Sequence, residues 1–412
     1  MKLEDIVGRR VGMCVSGGLD SKTVTKLFKE KGIDVLCFSA DLGQPDEEDI
    51  NDVIKKMEPC GAETFIIDLK DDMAEACFEV IKSQSTYDGG YWNTTGIARA
   101  VTVKGLTDAM HAKGCEVLSH GATGRGNDQM RFERYTKSLH PDMAVYAPWR
   151  DEELLKKFPG RTEMADYLAI YDIPAVIGMT KKYSTDANLA GLSHEAEDLE
   201  ELTTPCTIVD ATMGVWPQDA PDEIETIIVR FEKGRAVEIN GNAVTPLEAM
   251  TLANEIGGRN GIWMKNALEN RIIGTKSRGV YEAPGMEILG TALEQVYQAV
   301  FDRKSSGFFQ QLSVLISDQI YDGRYFDPAT QAARVAVDSL AARANGVVSL
   351  GLYKGNIFFQ SLTECPASLY NEADSSMEAS DGLNPHSSQG YADIISVEDV
   401  AMATAGQIDP RI

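Results

Sequence analysis

Six residues near the amino terminus, Ser16-Gly17-Gly18-Leu19-Asp20-Ser21, combine hydroxyl, glycine and carboxylate groups in an order that suits phosphate binding. They follow the apolar run Val11 to Val15, and a helical pattern begins after them. Two glycines let the backbone approach an oxyanion closely, and the N–H groups and dipole of a helix N-terminus favour negative charge. The expected ligand is therefore a phosphate or pyrophosphate group.

The spacing of the glycines in this loop indicates which of the known types of phosphate-binding loop it matches. A Walker A loop needs glycine at the positions of Ser16 and Ser21, and a G-x-G-x-x-G loop needs a third glycine after a spaced pair. Neither pattern fits. The loop instead resembles S-G-G-x-D-S, the pyrophosphate loop of enzymes that cleave ATP into AMP and pyrophosphate. The alternative is an ordinary turn between a strand and a helix.

A second polar stretch runs from His120 to Glu133 and contains three glycines within six positions. Its side chains include Thr123, Asn127, Asp128 and Arg131. Arginine and loop N–H groups can hold a carboxylate while aspartate holds an ammonium group, so the stretch suits a substrate that carries both. The structural alternative is a helix cap, with Asn127 as the N-cap residue and Asp128 favouring the helix dipole.

The elements that must position these loops alternate between strand and helix over the first ~150 residues, which predicts a parallel sheet wrapped by helices. The predicted strands are 11–15, 33–39, 62–69 and 116–119, and the predicted helices are 21–31, one starting at 45–49, 71–82 and 96–113. Ligands of such sheets bind at the carboxyl ends of the strands. We therefore expect three loops to converge there: 16–21, 40–44 and 120–128.

The character of the sequence changes after residue 150, where shorter strands and helices alternate. The strands 224–232 and 235–239 flank Lys233-Gly234 and predict a hairpin, and Thr245-Pro246-Leu247-Glu248 predicts a helix start. The last ~40 residues are rich in Ser, Asp and Asn and indicate an exposed arm. The predicted division is 1–174, 175–365 and 366–412, an α/β chain with a parallel-sheet nucleotide-binding domain, an α+β domain and a C-terminal arm.

The amino-acid composition indicates a globular protein and argues against membrane and nucleic-acid-binding classes. The 412 residues are 43% hydrophobic and 25% charged, as in a globular chain, and 63 acidic against 39 basic residues give a net charge of −24. This charge opposes a broad nucleic-acid-binding face. The amino terminus lacks an apolar signal core and no run approaches the ~20 apolar residues of a membrane span, so we expect a cytosolic protein without membrane or nucleic-acid partners.

Cysteine and histidine usage gives no signal for a metal site or a disulfide framework. The seven cysteines are odd in number and lack C-x-x-C spacing, and the five histidines are not paired at ligand spacing. We therefore expect no metal centre built from protein side chains.

Five motifs occur together in one order along nearly the whole chain: 16–21, Ala40-Asp41-Leu42-Gly43-Gln44, the run Thr123 to Glu133, Ala147-Pro148-Trp149-Arg150, and Lys276 to Glu282. In this order they resemble the argininosuccinate synthase family. The resemblance implies an adenine-nucleotide α-hydrolase-like domain followed by a synthetase domain. It also implies a cytoplasmic homotetramer that joins citrulline to aspartate with ATP and Mg²⁺ through a citrullyl-adenylate, in arginine biosynthesis, releasing AMP and pyrophosphate.

The resemblance also implies roles for individual residues. ATP would be bound by Ser16, Gly17, Gly18, Leu19, Asp20, Ser21, Ala40 and Gly121. Aspartate would be bound by Thr123, Asn127 and Asp128. Citrulline would be bound by Tyr91, Thr95, Asn127, Arg131, Ser184, Ser193, Glu269 and Tyr281. We expect two catalytic residues: Asp20, which orients Mg²⁺ or pyrophosphate through water, and Asp128, which positions the ammonium group of aspartate.

Two features depart from the family's pattern. Gly96 stands where the family often has serine, which predicts the loss of one side-chain contact near citrulline, and the stretch 257–265 also differs. Two other functions stay open at this point. One is another pyrophosphate-loop ligase that modifies tRNA, forms an amide or forms NAD, and the other is a non-catalytic sensor of ATP and an amino acid.

Overall fold

The amino-terminal part of the chain is built on a parallel five-stranded sheet. The structure is a computed structural model that describes residues 1–124, 126–175, 183–262, 264–377 and 384–411. The strands are β1 (Arg10–Cys14), β2 (Asp34–Asp41), β3 (Thr64–Asp68), β4 (Val117–Ser119) and β5 (Ala144–Tyr146), and their order in the sheet is β3-β2-β1-β4-β5. The helices are α1 (Leu19–Glu30), α2 (Asp52–Met57), α3 (Lys70–Ser83), α4 (Thr94–Ala112), α5 (Asp128–Leu139), α6 (Glu152–Lys157) and α7 (Arg161–Ala169).

This architecture confirms the predicted α/β class with its parallel sheet. One predicted helix start is wrong, because the acidic run 46–49 is not helical and α2 begins at Asp52. The Asp49 carboxylate accepts a hydrogen bond from the N–H of Asn51 at 2.9 Å. Such local side-chain bonds compete with helix formation, which explains the later start.

The following part of the chain contains two antiparallel sheets. The first has the order β11-β12-β7-β6 and is formed by β6 (Ser184–Asn188), β7 (Gly191–Glu195), β11 (Met264–Asn270) and β12 (Lys276–Glu282). The second has the order β10-β9-β8-β13-β14 and is formed by β8 (Glu225–Glu232), β9 (Arg235–Ile239), β10 (Asn242–Ala243), β13 (Gly346–Tyr353) and β14 (Asn356–Thr363). The helices are α8 (Pro246–Arg259), α9 (Pro284–Val300), α10 (Arg303–Tyr321) and α11 (Pro328–Ala341).

Two local predictions in this part are confirmed. Strands β8 and β9 form the expected hairpin, with Glu232 opposite Arg235. The helix α8 starts after Thr245 with a capping box, in which the Thr245 hydroxyl accepts from the N–H of Glu248 at 3.2 Å and the Glu248 carboxylate accepts from the N–H of Thr245 at 2.8 Å. Both features depend on neighbouring residues alone, which is why the sequence reveals them.

The chain divides into two compact units, Met1–Ala367 and Ser368–Ile412. The first unit contains the three sheets, and the second contains α12 (Glu372–Ser375) and α13 (Pro385–Thr404). The division of the first unit near residue 175 stays a prediction. Helix α13 falls within the last ~40 residues, for which the sequence indicates an exposed arm.

Helix α4 is the buried element that connects the parallel sheet to the rest of the first unit. Its side chains Ile97, Ala98, Val103 and Leu106 are buried on several sides of the helix. Gly96 faces α10, since a Cβ atom there would lie 3.2 Å from Ile320 Cγ2 and 3.3 Å from Ile320 O. The absence of a side chain at Gly96 therefore suits helix packing, and the loss of a contact near citrulline stays a prediction.

Candidate active site

The loop 16–21 has the geometry of an anion cradle. Gly17 has a φ of 73°, in the left-handed region that favours glycine, and Gly18 is the N-cap residue of α1. The N–H of Ser16 donates to the Ser21 hydroxyl at 3.1 Å, which closes the loop on itself. Leu19 is buried in the core, so only its backbone is available to a ligand.

Neighbouring strand ends place the other predicted ATP-binding residues beside this loop. The N–H of Val15 donates to the carbonyl of Phe38 at 2.9 Å, which puts the start of the loop next to the end of β2, where Ala40 lies. On the other side, a Cβ atom on Gly121 would lie 3.9 Å from Asp20 Cβ. The predicted convergence of the three loops follows from the order β2-β1-β4.

Two charged side chains of the loop region differ in orientation. The ammonium group of Lys22 is buried and donates to the carbonyl of Pro174 at 2.8 Å, so it stabilises the fold. Asp20 is exposed, and the protein around its carboxylate raises its pKa through desolvation, an effect that Arg161 partly opposes. Asp20 is therefore the loop's accessible acidic group.

A cavity of about 570 Å³ lies beside the loop and has a mixed polar and aromatic lining. All of the residues predicted to bind citrulline or aspartate line it, together with Gly121: Tyr91, Thr95, Thr123, Asn127, Asp128, Arg131, Ser184, Ser193, Glu269 and Tyr281. The loop 16–21 and Ala40 are not part of the lining. The structure therefore brings two predicted binding sets into one cavity and places the third next to it through Gly121.

Strand pairing explains how residues far apart in the sequence meet in this cavity. Ser193 of β7 is directly opposite Tyr281 of β12 and Asp186 of β6. Because side chains alternate between the faces of a strand, Ser193 and Glu195 share the face of β7 that lines the cavity. The four-stranded sheet thus presents one wall of polar and aromatic groups.

Two arginines and two aspartates form an ion-pair network in the cavity. Arg99 Nε donates to Asp128 Oδ2 at 2.9 Å and its Nη2 donates to Asp186 Oδ2 at 2.6 Å. Arg131 Nη1 donates to Asp128 Oδ1 at 2.9 Å. Burial alone would raise the pKa of Asp128, but the two guanidinium groups outweigh it and lower this pKa, whereas burial dominates at Asp186 and raises its pKa.

A glutamate and two tyrosines form the aromatic side of the cavity. The Tyr281 hydroxyl donates to Glu269 Oε1, and the Tyr91 and Tyr281 rings have centroids 4.2 Å apart. The Tyr91 hydroxyl accepts a hydrogen bond from the N–H of Thr95 at 2.8 Å, which anchors it at the start of α4. Burial, followed by the negative charge of Glu195, raises the pKa of Glu269 to about 7.

Asn127 occupies the N-cap position of α5 and Asp128 its first turn, as the structural alternative predicts, but the Asn127 side chain does not cap the helix. Its backbone is already helical and its side chain makes no cap bond. Instead its amide donates to the Tyr321 hydroxyl at 2.9 Å and accepts from the N–H of Ile272 at 3.0 Å. Asn127 therefore ties the start of α5 to α10 and to the tip of the β11–β12 hairpin.

Sequence reasoning missed five charged residues of the cavity: Arg99, Asp186, Glu195, Glu200 and Arg271. A positional signal existed for the first three. Arg99 follows Thr95 by four residues on a helix, and Asp186 and Glu195 follow Ser184 and Ser193 by two residues on strands, so each shares a face with a predicted residue. Arg271 lies at the hairpin tip between Glu269 and Tyr281.

Parts of two sequence stretches named above lie outside the described residues: Arg125, and position 263 of the stretch 257–265. Within the part of the chain that the structure describes, no group of three or more histidine, cysteine, aspartate or glutamate side chains is arranged to hold a metal ion. Over the same residues, no helix is long and apolar enough to cross a membrane.

Comparison with known proteins covers nearly the whole chain. Residues 10–174 match the arginosuccinate synthase N-terminal HUP domain, and residues 183–402 match the arginosuccinate synthase C-terminal domain. The argininosuccinate synthase of Rhodopirellula baltica is 36% identical over 402 residues, which are 97% of this chain and 98% of the relative. Those of Idiomarina loihiensis and a Thermotoga species are 36% and 35% identical, over 94% and 93% of this chain and 96% and 95% of the relatives. The chain therefore belongs to the argininosuccinate synthase family of ATP-dependent ligases.

Proposed function

We propose that this ligase joins citrulline to aspartate in the cavity described above, with the phosphates of ATP bound at the loop 16–21. The observation that carries the proposal is the position of Gly121, which lines the cavity and lies against Asp20 of the loop. Activation of one substrate requires its reacting oxygen to reach the α-phosphorus of ATP. Adjacent phosphate and amino-acid sites satisfy that requirement.

The aromatic side of the cavity suits citrulline. Glu269 offers a carboxylate for the α-ammonium or the ureido N–H groups, and Arg131 offers a fixed positive charge for the α-carboxylate. The hydroxyl groups of Ser184, Ser193 and Tyr281 add short-range donors and acceptors on the same wall. Tyr91 and Thr95 complete this set at the start of α4.

The start of α5 suits aspartate. Thr123 and Asn127 supply neutral donors, and each oxygen of the Asp128 carboxylate accepts a bond from an arginine while keeping a further lone pair for an ammonium group. Because Arg99 and Arg131 lower its pKa, Asp128 stays ionised and positions the amine. It is a poor base for the same reason, so deprotonation of the amine falls to another group.

ATP would be held by the loop's N–H groups and by the backbone at Ala40 and Gly121. Phosphate oxygens and water would hold most of the coordination sphere of a Mg²⁺ ion, and Asp20 is the accessible carboxylate of the loop. Such an ion neutralises charge on the phosphates. Asp20 would orient it, or the pyrophosphate, through water.

The reaction proceeds in two steps. The ureido oxygen of citrulline attacks the α-phosphorus, a new P–O bond forms, and the bond to pyrophosphate breaks with its electron pair on the leaving oxygen. The N–H groups of the loop stabilise that developing charge. The amine of aspartate then attacks the activated carbon, AMP leaves, and argininosuccinate remains. The ion-pair network of Arg99, Asp128 and Arg131 positions the two amino acids so that the amine can reach the activated carbon in this second step.

We further propose a cytoplasmic homotetramer. None of the seven cysteines, all of which lie within the described residues, forms a disulfide, as expected in a reducing compartment. Helix α13 carries exposed apolar side chains, including Tyr391, Ile394 and Val397, which gain stability when a neighbouring subunit covers them. Light scattering of the full chain and of a chain ending at residue 367 tests this assembly, because the shortened chain should not form tetramers.

Product analysis tests the reaction. The purified protein is incubated with ATP, Mg²⁺, citrulline and aspartate, with controls that omit each amino acid, and AMP, pyrophosphate and argininosuccinate are measured. We expect all three products together, and argininosuccinate only in the complete mixture. Binding of ATP without release of pyrophosphate would contradict the proposal and favour a sensor. Release of pyrophosphate with a different acceptor would favour another ligase.

A further inference from the structure

The side chain of Lys56 lies against the loop 16–21. Lys56 belongs to the last turn of α2, and its Cδ and Cβ atoms lie 3.0 and 3.2 Å from the point where a Cβ atom on Gly17 would stand. Glycine at position 17 therefore suits the loop in two ways: it adopts the positive φ, and it leaves room for the lysine stem, which a Cβ atom would press upon.

The ammonium group of Lys56 keeps room to move. Its Nζ atom lies 3.8 Å from Glu47 Oε2, and the side chain is 43% exposed. No hydrogen bond to this group occurs among the residues that the structure describes. The neighbouring lysines are engaged differently, since Lys55 Nζ donates to Asp52 Oδ1 at 2.7 Å and Lys22 Nζ donates to the carbonyl of Pro174.

The chemistry at this loop calls for such a cation. The leaving pyrophosphate gains negative charge, while the loop itself offers neutral N–H groups and the acidic Asp20. A lysine ammonium at the phosphates is a common solution to this problem. With Lys22 turned away, Lys56 is the lysine whose stem already rests on the loop.

We infer that Lys56 Nζ binds a non-bridging oxygen of the β- or γ-phosphate of ATP and stays on the pyrophosphate as it leaves. The inference rests on the proposed binding of ATP phosphates at the loop 16–21. Lys56 remains protonated throughout, and the electron pair of the broken bond stays on the leaving oxygen that it helps to stabilise. Glu47 holds the ammonium group near the loop until the nucleotide arrives.

The test compares three full-length variants: Lys56→Met, Lys56→Arg and, as the matched control on the same helix, Lys55→Met. Binding of inorganic pyrophosphate is measured by calorimetry, and kcat and KM are measured for ATP, citrulline and aspartate. We expect Lys56→Met to weaken pyrophosphate binding about tenfold or more and to raise the KM for ATP, with the KM values of both amino acids unchanged. Lys56→Arg should restore most of the binding, and Lys55→Met should stay within about twofold of the original protein.

A purely structural role of Lys56 predicts a different pattern. As a basic residue in the last turn of α2 it also interacts favourably with the helix dipole, and loss of that contact would lower the thermal midpoint without changing pyrophosphate binding. Unchanged pyrophosphate binding by Lys56→Met, or an equal loss in Lys55→Met, would overturn the inference. If either of these outcomes occurs while the original protein still makes argininosuccinate, only the role of Lys56 is refuted. If the original protein neither binds pyrophosphate nor forms product, the proposed function fails with it.

Discussion

Replacement of Glu269 by glutamine should make the protein more stable and a poorer ligase at the same time. Glu269 is 4% exposed, and burial followed by the charge of Glu195 raises its pKa from 4.5 to about 7. A glutamine keeps an oxygen that can accept the bond from the Tyr281 hydroxyl. The substitution therefore removes the charge while it preserves the contact.

The pH dependence follows from the direction of this shift. Below pH 4.5 the carboxyl group is protonated in both the folded and the unfolded chain and has no effect on stability. Between pH 4.5 and about 7 the unfolded chain ionises first, so the free energy of unfolding falls as pH rises, and above about pH 7 the full loss is reached. At about 1.4 kcal/mol for each pH unit, this loss is roughly 3 kcal/mol.

Urea denaturation of the original protein and of Glu269→Gln, at one protein concentration and at pH 5, 6, 7 and 8, measures this difference. We expect an advantage of less than about 1 kcal/mol for the variant at pH 5 and of about 3 kcal/mol at pH 8. The control Glu232→Gln alters an exposed glutamate on another strand and should show no such trend. An advantage that does not grow with pH, or no advantage at pH 8, would refute the argument. In kinetics, Glu269→Gln should raise the KM for citrulline about tenfold and leave that for aspartate nearly unchanged.

Three further outcomes are expected. Arg99→Met leaves the carboxylates of Asp128 and Asp186 without their shared partner, and because both are partly exposed, urea denaturation should show a loss of about 1–2 kcal/mol at pH 8. The loss should be smaller at pH 5, where protonation relieves part of the repulsion, and an equal loss at both pH values would contradict this explanation. Gly17→Ala places a side chain at a φ of 73° and against the Lys56 stem, so it should lower the free energy of unfolding by about 1–2 kcal/mol and raise the KM for ATP. An unchanged KM for ATP would show that the loop does not bind phosphate. Thr245→Ala removes the capping box of α8 and should lower the free energy of unfolding by about 1 kcal/mol with kcat unchanged; an altered kcat would link α8 to the active site.

The sequence by itself determined those features that depend on neighbouring residues. The loop 16–21, the β8–β9 hairpin and the capping box at Thr245 are each encoded within a few positions, and backbone geometry and local hydrogen bonds determine their structure. The alternation of strand and helix likewise predicted the parallel sheet, and the order of motifs predicted the family. The residue set expected for citrulline and aspartate came from that family pattern, and its meeting in one cavity agrees with it.

Tertiary structure alone decided which charges face one another. The network of Arg99, Asp128 and Asp186 joins a helix, a second helix start and a strand of another sheet, and the raised pKa of Glu269 depends on burial beneath several elements. The stem of Lys56 reaches Gly17 only because α2 packs beside the loop. Such contacts depend on the distances between elements after folding, and electrostatic and steric interactions act over those distances rather than along the chain. No local pattern of residue types specifies them.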